Sequence, residues 1–249
     1  MLNAKSLSIV CFLILCFAIL RAPASLIERI VDNQLQSSIQ FSSSAGTLWQ
    51  GSGTISLNGF IDSNLSWSIP LQDILTLNPK VLWTIEGVGL NLQGETSLLY
   101  QGSKTIAKGQ IYSTLLNNAF TPYDVFLDGD LLIKKISITN QIEENFKITS
   151  LTGDLHWTGG PIRYVLSQTP ITVISPFFQL NLSDQTGGLI HATLDSPTHG
   201  YHLLIATLNP TKGILKMQVS KGFTKIFGNE WPGSASDNQI VLELEERIF

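Results

Sequence analysis

The chain begins with one long uncharged stretch and then changes to short stretches in which apolar and polar residues alternate. Lys5 and Arg21 flank an uncharged, strongly apolar run over residues 6–20. As a helix this run is about 22 Å long, whereas a full membrane span takes about 20 residues. Extension by a few residues on either side reaches that length. The pattern predicts a cytoplasmic tip and transmembrane anchor within residues 1–25.

Two other fates of this segment stay open. Ala-Pro-Ala at 22–24 resembles a weak signal-peptidase site, although Arg21 directly before it disfavours cleavage. A lipoprotein signal through Cys16 fits less well, because bulky residues precede this cysteine and the apolar run continues past it. We expect the anchor to be retained, with Lys5 inside the cell and residues 26–249 forming a periplasmic domain.

The rest of the chain has apolar residues at every second position, which is typical of antiparallel strands with one buried face. The clearest examples are 81–86, 88–93, 123–134 and 240–245. Turns are predicted at Asn58-Gly59, Gln93-Gly94, Gln101-Gly102, Gly187-Gly188 and Lys212-Gly213. Short helices are predicted at 71–77, 114–119 and 221–229. The sequence therefore predicts a mainly β fold, a transmembrane helix followed by a long curved antiparallel β-sheet with a few short helices.

One short motif occurs twice. Gly-Thr-Leu-Trp-Gln-Gly at 46–51 returns loosely as Gly-Asp-Leu-His-Trp-Thr-Gly at 153–159. Alternating strand follows each copy, and the spacing is about a hundred residues. The repeat indicates two related β-halves, 39–120 and 121–249, within the periplasmic domain.

Composition narrows the choice of partners. Charged residues make up 14% of the chain, well below the share of about 25% usual for soluble domains, and the net charge is −4. No basic cluster is present, so a nucleic-acid partner is not expected. Both cysteines, Cys11 and Cys16, lie in the apolar run, which leaves no disulfide, zinc cluster or thiol nucleophile for the folded domain.

The sequence offers little to an enzyme. His199 and His202 lie in Thr-His-Gly-Tyr-His, where a turn leaves metal-ligand geometry undefined, so we expect a polar hairpin end. Asp128 and Asp130 share the polar face of a predicted strand, which indicates solvated carboxylates. Gly-Ser-Gly at 51–53 is interpreted as a strand-edge turn, not a nucleophile elbow. We predict no catalytic, cofactor or metal site.

The chain has five tryptophans, Trp49, Trp67, Trp83, Trp157 and Trp231. Most lie in alternating apolar segments, so we expect them to pack in the core. Trp49→Ala is then expected to cost a few kcal/mol of stability. The alternative is that some of these rings line an exposed apolar groove.

Four segments together resemble the type II secretion system protein N family (general secretion pathway protein N). They are Ala-Pro-Ala-Ser-Leu at 22–26, Ser-Ala-Gly-Thr-Leu-Trp-Gln-Gly-Ser-Gly at 44–53, Leu-Ser-Trp-Ser-Ile-Pro-Leu-Gln-Asp-Ile-Leu at 65–75 and Leu-Thr-Gly-Asp-Leu-His-Trp-Thr-Gly-Gly at 151–160. The resemblance runs in order along the whole chain. The family motif, which we expect to be structural, comprises Gly46, Thr47, Leu48, Trp49, Gly51, Trp67, Pro70, Gly153, Leu155 and Trp157.

The resemblance implies a non-enzymatic accessory component of the type II secretion system, in the cell inner membrane by a single pass with most of the chain in the periplasm. Its partners would be other secretion subunits, either the secretin or the inner-membrane platform, and it would need no cofactor. Family members are also similar to long grooved β-sheet proteins that move lipid between membranes. A periplasmic lipid-handling or lipid-bridging protein is therefore the alternative, since a sheet with an apolar face suits acyl chains.

Overall fold

A computed structural model describes residues 4–34, 39–57, 62–70, 72–73, 79–142, 146–166, 168–185, 188–228 and 231–247. The chain divides into two compact units, Met1–Val88 and Gly89–Phe249. Each unit is built on antiparallel strands, which confirms the predicted mainly β class. The two related halves inferred from the repeated motif stay a prediction.

Two helices open the first unit. Helix α1, Ala4–Leu20, ends one residue before Arg21, where the uncharged run also ends. Its 17 residues are about 25 Å long at 1.5 Å per residue, against an apolar bilayer thickness of about 30 Å. Helix α2, Ser25–Gln34, follows directly. No helix among the described residues combines the length and apolarity needed to cross a membrane.

Four strands of the first unit pair in chain order as an antiparallel meander. They are β1 Ile39–Gly46, β2 Gln50–Leu57, β3 Ser63–Ser68 and β4 Lys80–Gly87. Helix α2 packs against β1. The core between them is small and centres on Ala24, Phe41 and Trp67, which are almost completely buried.

The second unit contains twelve strands in its described residues. In chain order they are β5 Leu90–Leu99, β6 Gly102–Ile111, β7 Phe126–Leu127, β8 Leu131–Ile142, β9 Phe146–Trp157, β10 Gly160–Leu166, β11 Thr169–Ser175, β12 Phe178–Gln185, β13 Leu189–Asp195, β14 Leu204–Asn209, β15 Ile214–Ser220 and β16 Ile240–Arg247. Nine form one antiparallel sheet in the order β5-β6-β8-β9-β12-β13-β14-β15-β16, and the other three form a small sheet, β11-β10-β7. Helices α3, Ser113–Phe120, and α4, Lys221–Ile226, complete the unit.

Most local predictions for the second unit are confirmed. The helix predicted at 114–119 is α3, and the one predicted at 221–229 begins as expected and ends at Ile226. The strands predicted at 88–93 and 240–245 correspond to β5 and β16. In the first unit, 81–86 lies in β4, whereas most of the helix predicted at 71–77 lies outside the described residues.

The single strand predicted over 123–134 is wrong. Its start belongs to a 3-10 turn, Thr121–Tyr123, which Asp124 ends with a left-handed φ of 54°. The chain then gives two residues, β7, to the small sheet and enters the large sheet only at Leu131. Side-chain alternation persists through this stretch, but the backbone changes sheets, and periodicity alone does not report such a change.

The glycine turns have mixed outcomes. Turns at 101–102 and 212–213 are confirmed, and Gly188 lies in the turn between β12 and β13. Gln93-Gly94 is not a turn, because both residues lie inside β5. Residues 51–53 likewise lie inside β2, so the predicted strand-edge turn there is wrong. Asn58-Gly59 and Gly187 fall outside the described residues.

The large sheet of the second unit has one apolar and one polar face. We call the apolar face the two rows of directly opposed residues Leu155, Leu180, Leu194, Leu204, Val219 and Leu242, then Gly153, Leu182, Ala192, Ala206, Met217 and Leu244. On the opposite, polar face a comparable row is Asp154, Asn181, Thr193, Ile205, Gln218 and Glu243. Such alternation is expected when one face of a sheet packs and the other meets water.

Cover over the apolar face decreases along β12. Phe178, 5% exposed, stacks on Phe227 at a ring distance of 6.4 Å, so the chain after α4 covers this end. The first row includes the buried Leu155 and Val219. The second row is only half-buried, and Leu244 is 44% exposed.

Candidate functional site

The family-motif residues of the first unit lie around one turn, between β1 and β2. We call this group, residues 46–51 with Trp67, the first corner. The turn closes through Thr47, whose backbone N–H donates to Gln50 O at 2.8 Å. Gly46 has a φ of +99°, where side chains are strained, and a Cβ there would lie 2.5 Å from Gln50 O. The turn therefore requires glycine at 46.

Trp67 is the packed centre of the first corner. It is 6% exposed, and its ring meets Phe41 edge-on at 5.9 Å. A Cβ on Gly51 would lie 2.5 Å from this ring, so the indole occupies the space that glycine leaves. The indole N–H donates to Leu48 O at 3.1 Å, which satisfies the polar atom of a buried ring.

Trp49 has a different role from the predicted core position. It is half-buried, and its indole N–H donates to Ile19 O at 2.8 Å, in the last turn of α1. Ile19 O also accepts from the backbone N–H of Ala22 at 3.2 Å, so the indole makes a second hydrogen bond to this carbonyl and ties the end of α1 to the first corner. A cost of a few kcal/mol, as expected for removal of a core aromatic ring, is therefore expected for Trp67→Ala and not for Trp49→Ala.

The segment between the two helices is also fixed to the first corner. Leu48 N–H donates to Ala22 O at 2.8 Å, and Ala24 N–H donates to Gly46 O at 3.2 Å. Ala24 is 1% exposed. The family-motif turn and the Ala-Pro-Ala segment therefore form one joint that attaches α1 to the sheet. Pro70 follows β3, and its carbonyl accepts a hydrogen bond from the backbone N–H of Asp73 at 3.0 Å.

A similar group in the second unit lies where β9 ends. We call Gly129, Trp157 and Ser175 the second corner. The Trp157 indole N–H donates to Ser175 Oγ at 2.7 Å, and Ser175 is 2% exposed. A Cβ on Gly129 would lie 2.5 Å from the Trp157 ring. Of the predicted motif residues here, Leu155 is 8% exposed and Gly153 lies within β9.

Asp130 connects the second corner to α3. Its carboxylate accepts from Ser113 N–H at 2.8 Å and from Gln110 Nε2 at 2.9 Å. Its backbone N–H donates to Thr158 Oγ1 at 2.8 Å. The prediction of a solvated Asp130 is therefore wrong. Asp128 is exposed, and its Oδ1 lies 3.6 Å from Nη2 of Arg163.

The histidine segment borders a cavity of about 550 Å³ in the second unit. His199 and His202 lie in the loop 196–203 between β13 and β14, which fits the predicted polar hairpin end. His202 Nδ1 is 2.6 Å from Asp195 Oδ1. His199 Nδ1 is 2.8 Å from Thr198 Oγ1, and its ring meets Tyr201 edge-on at 5.5 Å. The cavity lining comprises Asp195, His199, Gly200, Tyr201, His202, Ile205, Asn238 and Ile240.

Tyr201 is pressed against the start of α4. Its hydroxyl is buried and has no hydrogen-bond partner among the described residues, and a Cβ on Gly222 would overlap it. Burial raises the pKa of this phenol above 10.0; nearby Asp237 adds to the increase, while Lys225 opposes it. The loop is thus fixed by ring packing, and the hydroxyl stays protonated at neutral pH.

The polar face carries a second histidine–carboxylate pair. His156 Nε2 is buried and lies 2.9 Å from Asp154 Oδ1, but it makes no hydrogen bond to a described residue. Its ring packs edge-on against Phe177 at 5.1 Å. In the described ranges, no three His, Cys, Asp or Glu side chains group in a way that suits a metal ion.

Four structurally important residues were not identified from the sequence. Ile19 supplies only a carbonyl, and Gly129 and Ser175 act through contacts that depend on tertiary placement. Asp195 precedes His202 by seven positions across a loop, so no local spacing signals the pair.

Comparisons of the chain with protein-family models, with curated proteins and with solved structures find no match.

Proposed function

We propose that this chain is a non-enzymatic accessory component of the type II secretion system, held in the inner membrane by α1 with its β-sheet units in the periplasm. The observation that carries the proposal is the joint at the first corner. The residues most specific to the resemblance, 44–53, are those that attach an apolar helix to a sheet through Trp49 and Leu48. Because these motif residues attach α1 to the sheet, they suit a scaffold protein that is tethered by α1.

The surface of α1 supports the membrane part of the proposal. Its large apolar side chains are 43–64% exposed from Val10 to Leu20, on all sides of the helix. A helix that is apolar all round suits hydrocarbon better than water. With 17 residues and a length of about 25 Å, α1 by itself does not meet the length of a membrane span. The proposal therefore requires local thinning of the bilayer around α1, which costs fractions of a kcal/mol per Å of mismatch. The buried Ala24 and the bonds of Ala22 favour a retained segment over cleavage at 22–24.

Deletion of the gene in its source organism tests the secretion role. We expect secreted enzymes to accumulate in the periplasm, and a plasmid copy of the full chain to restore export. A matched plasmid in which a cleavable signal peptide replaces residues 1–21 should restore less, because it releases the domain from the membrane. If export and secretin assembly are both intact in the deletion strain, the secretion role is wrong.

A second candidate, periplasmic lipid handling, is favoured by the apolar face. Its second row crosses five strands with half-buried side chains, from Leu182 to the exposed Leu244. A continuous apolar strip of this kind can take an acyl chain. Lipid handling is a different activity from secretion, and it needs the face to be open to lipid.

Adjacent residues of β14 provide matched variants for the lipid candidate. Ala206 lies on the apolar face, and Thr207 lies on the polar face. If lipid binds the apolar face, Ala206→Glu should reduce phospholipid that co-purifies with the chain, whereas Thr207→Glu should not. Equal lipid in both variants, or no lipid in the unsubstituted protein by mass spectrometry, argues against this candidate.

A further inference from the structure

His202 has one ring nitrogen fixed by a carboxylate. Its Nδ1 donates to Asp195 Oδ1 at 2.6 Å, and the other carboxylate oxygen of Asp195 accepts from Asn181 Nδ2 at 3.4 Å. Because Asp195 is held at the end of β13 and Asn181 within β12, the sheet sets the orientation of the imidazole. With Nδ1 as the donor, the neutral ring carries its free electron pair on Nε2.

His199 is held in a similar way by a hydroxyl. Its Nδ1 is 2.8 Å from Thr198 Oγ1, which is 2.9 Å from Ser196 Oγ. Ser196 is 2% exposed, so the hydroxyl pair is anchored in the protein. The edge-on packing of Tyr201 restricts rotation of the ring. Both imidazoles are thus oriented through Nδ1 by a second group.

The Nε2 atoms of the two rings are available to a ligand. In the part of the chain that the structure describes, no hydrogen bond reaches Nε2 of His199 or His202. Both residues line the same cavity. Three Cα steps of about 3.8 Å keep their Cα atoms within about 11 Å. A Cβ on Gly200 between them would meet nothing within 4 Å, so the space beside the loop is open.

An imidazole that donates Nδ1–H to an oxygen and presents Nε2 is the arrangement found at metal-binding histidines. We propose that His199 and His202 bind one divalent transition-metal ion of the Zn²⁺ class through Nε2, with Asp195 and Thr198 orienting the rings. Neutral imidazole suits such ions. The sequence pattern could not define this geometry, because it showed neither the pairing of Asp195 with His202 nor the shared cavity.

The protein supplies two ligands to this ion. Since the described residues offer no group of three metal-binding side chains, water or a donor atom of a second molecule fills the remaining positions. The affinity is therefore expected in the micromolar range, weaker than at closed four-ligand structural sites. The site does not depend on the proposed function in secretion or lipid handling.

Calorimetric titration of the full-length, detergent-solubilised chain with ZnCl₂ tests the proposal. Cys11→Ser and Cys16→Ser are present in every protein, because thiolates bind Zn²⁺. We expect one ion per chain, binding weakened at least about 10-fold by His199→Gln or His202→Gln, and about 10-fold weaker binding for Asp195→Asn. The matched control is His191→Gln, a histidine of β13 outside the cavity, which should bind as the parent does.

The proposal is overturned if the parent does not bind Zn²⁺ with micromolar affinity, or if His199→Gln and His202→Gln leave binding unchanged. Histidine side-chain ¹⁵N NMR gives a second test on the parent protein, which avoids any variant that fails to fold. Zn²⁺ should shift Nε2 of His199 and His202 together. Shifts confined to His156 or His191 would assign the ion elsewhere and contradict the proposal.

Discussion

The first and second corners solve the same packing problem with different partners. In each, a tryptophan at the end of a strand covers a glycine and donates its indole N–H: Trp67 covers Gly51 and bonds to Leu48 O, and Trp157 covers Gly129 and bonds to Ser175 Oγ. The first uses a backbone carbonyl 19 residues away in sequence, and the second uses a side-chain hydroxyl 18 residues away. A ring, a glycine and one acceptor thus form a corner in either unit.

The comparison also separates two kinds of tryptophan in the first corner. Trp67 packs and satisfies its own N–H within the sheet, whereas Trp49 reaches out to α1. Removal of the Trp67 ring should lower the stability of the first unit, and removal of the Trp49 ring should loosen the joint between α1 and the sheet.

Trp67→Ala should have the largest effect. Because the ring is 6% exposed, its loss is expected to lower the free energy of unfolding by about 3–5 kcal/mol. Trp157→Ala should cost less, since that ring is only half-buried. Urea unfolding measures both. The control, Trp231→Ala, removes a ring that is 38% exposed and should lower the free energy of unfolding by clearly less than Trp67→Ala does. Equal effects of Trp67→Ala and Trp231→Ala would contradict the claim that Trp67 is the packed centre of the first corner.

The glycines under the rings come next. Gly51→Ala and Gly129→Ala each place a Cβ 2.5 Å from an indole and closer still to a backbone carbonyl oxygen, of Ala45 and of Gly159 respectively. Overpacking of this kind costs about 1–3 kcal/mol. Gly200→Ala is the matched control, because a Cβ there meets nothing within 4 Å. Thermal unfolding of the three variants compares them. Corner variants as stable as Gly200→Ala would show that the rings do not need the glycines.

The hydrogen bond of the second corner should contribute about 1 kcal/mol. Trp157→Phe keeps most of the ring and removes the N–H, and Ser175→Ala removes the acceptor. A double-mutant cycle isolates the bond, since each single variant breaks it. A coupling free energy near zero would mean that Ser175 Oγ is satisfied in another way.

Trp49→Phe should change the free energy of unfolding by less than about 1 kcal/mol, because it removes one hydrogen bond at an exposed site. The effect should instead appear locally, as faster hydrogen exchange of the Leu48 amide, which is bonded to Ala22 O. Exchange of Leu48 at the rate of the parent protein would contradict the role of Trp49 in the joint.

Tyr201→Phe should have the smallest effect at neutral pH. Unlike the two indoles, its hydroxyl is buried with no hydrogen-bond partner in the part of the chain that the structure describes, so its removal should be neutral or slightly stabilising. Since the pKa of Tyr201 is raised, the unfolded chain ionises first as pH rises above about 10, and stability is lost there. Tyr201→Phe should lose less stability above pH 10 than the parent. Identical pH profiles would show that the phenol is not desolvated.

The sequence predicts strand positions correctly where the alternating pattern covers a segment that stays within one sheet, as at 81–86 and 240–245. They did not follow at 123–134, because the left-handed Asp124 and the side-chain bonds of Asp130 turn the backbone while alternation continues. Local patterns report burial, and they do not report which sheet a strand joins.

The sequence alignment of the repeated motif matches different residues from those that play the same role in the structure. Sequence similarity aligned Trp49 with Trp157, since both follow Gly-x-Leu, but Trp49 lies in the turn 47–49 between β1 and β2, whereas Trp157 lies at the end of strand β9. By role, Trp157 corresponds to Trp67. The motif residues did locate both corners, whereas their partners Gly129 and Ser175 come from elsewhere in the chain and carry no local signal.

Purification from membranes of the full chain, tagged at its C-terminus and analysed by mass spectrometry for proteins and lipids together, tests the proposed function most directly. The account predicts recovery of the secretin or of inner-membrane platform subunits of the type II secretion system. Recovery of phospholipid alone, without any secretion subunit, would contradict it and favour the lipid-handling candidate.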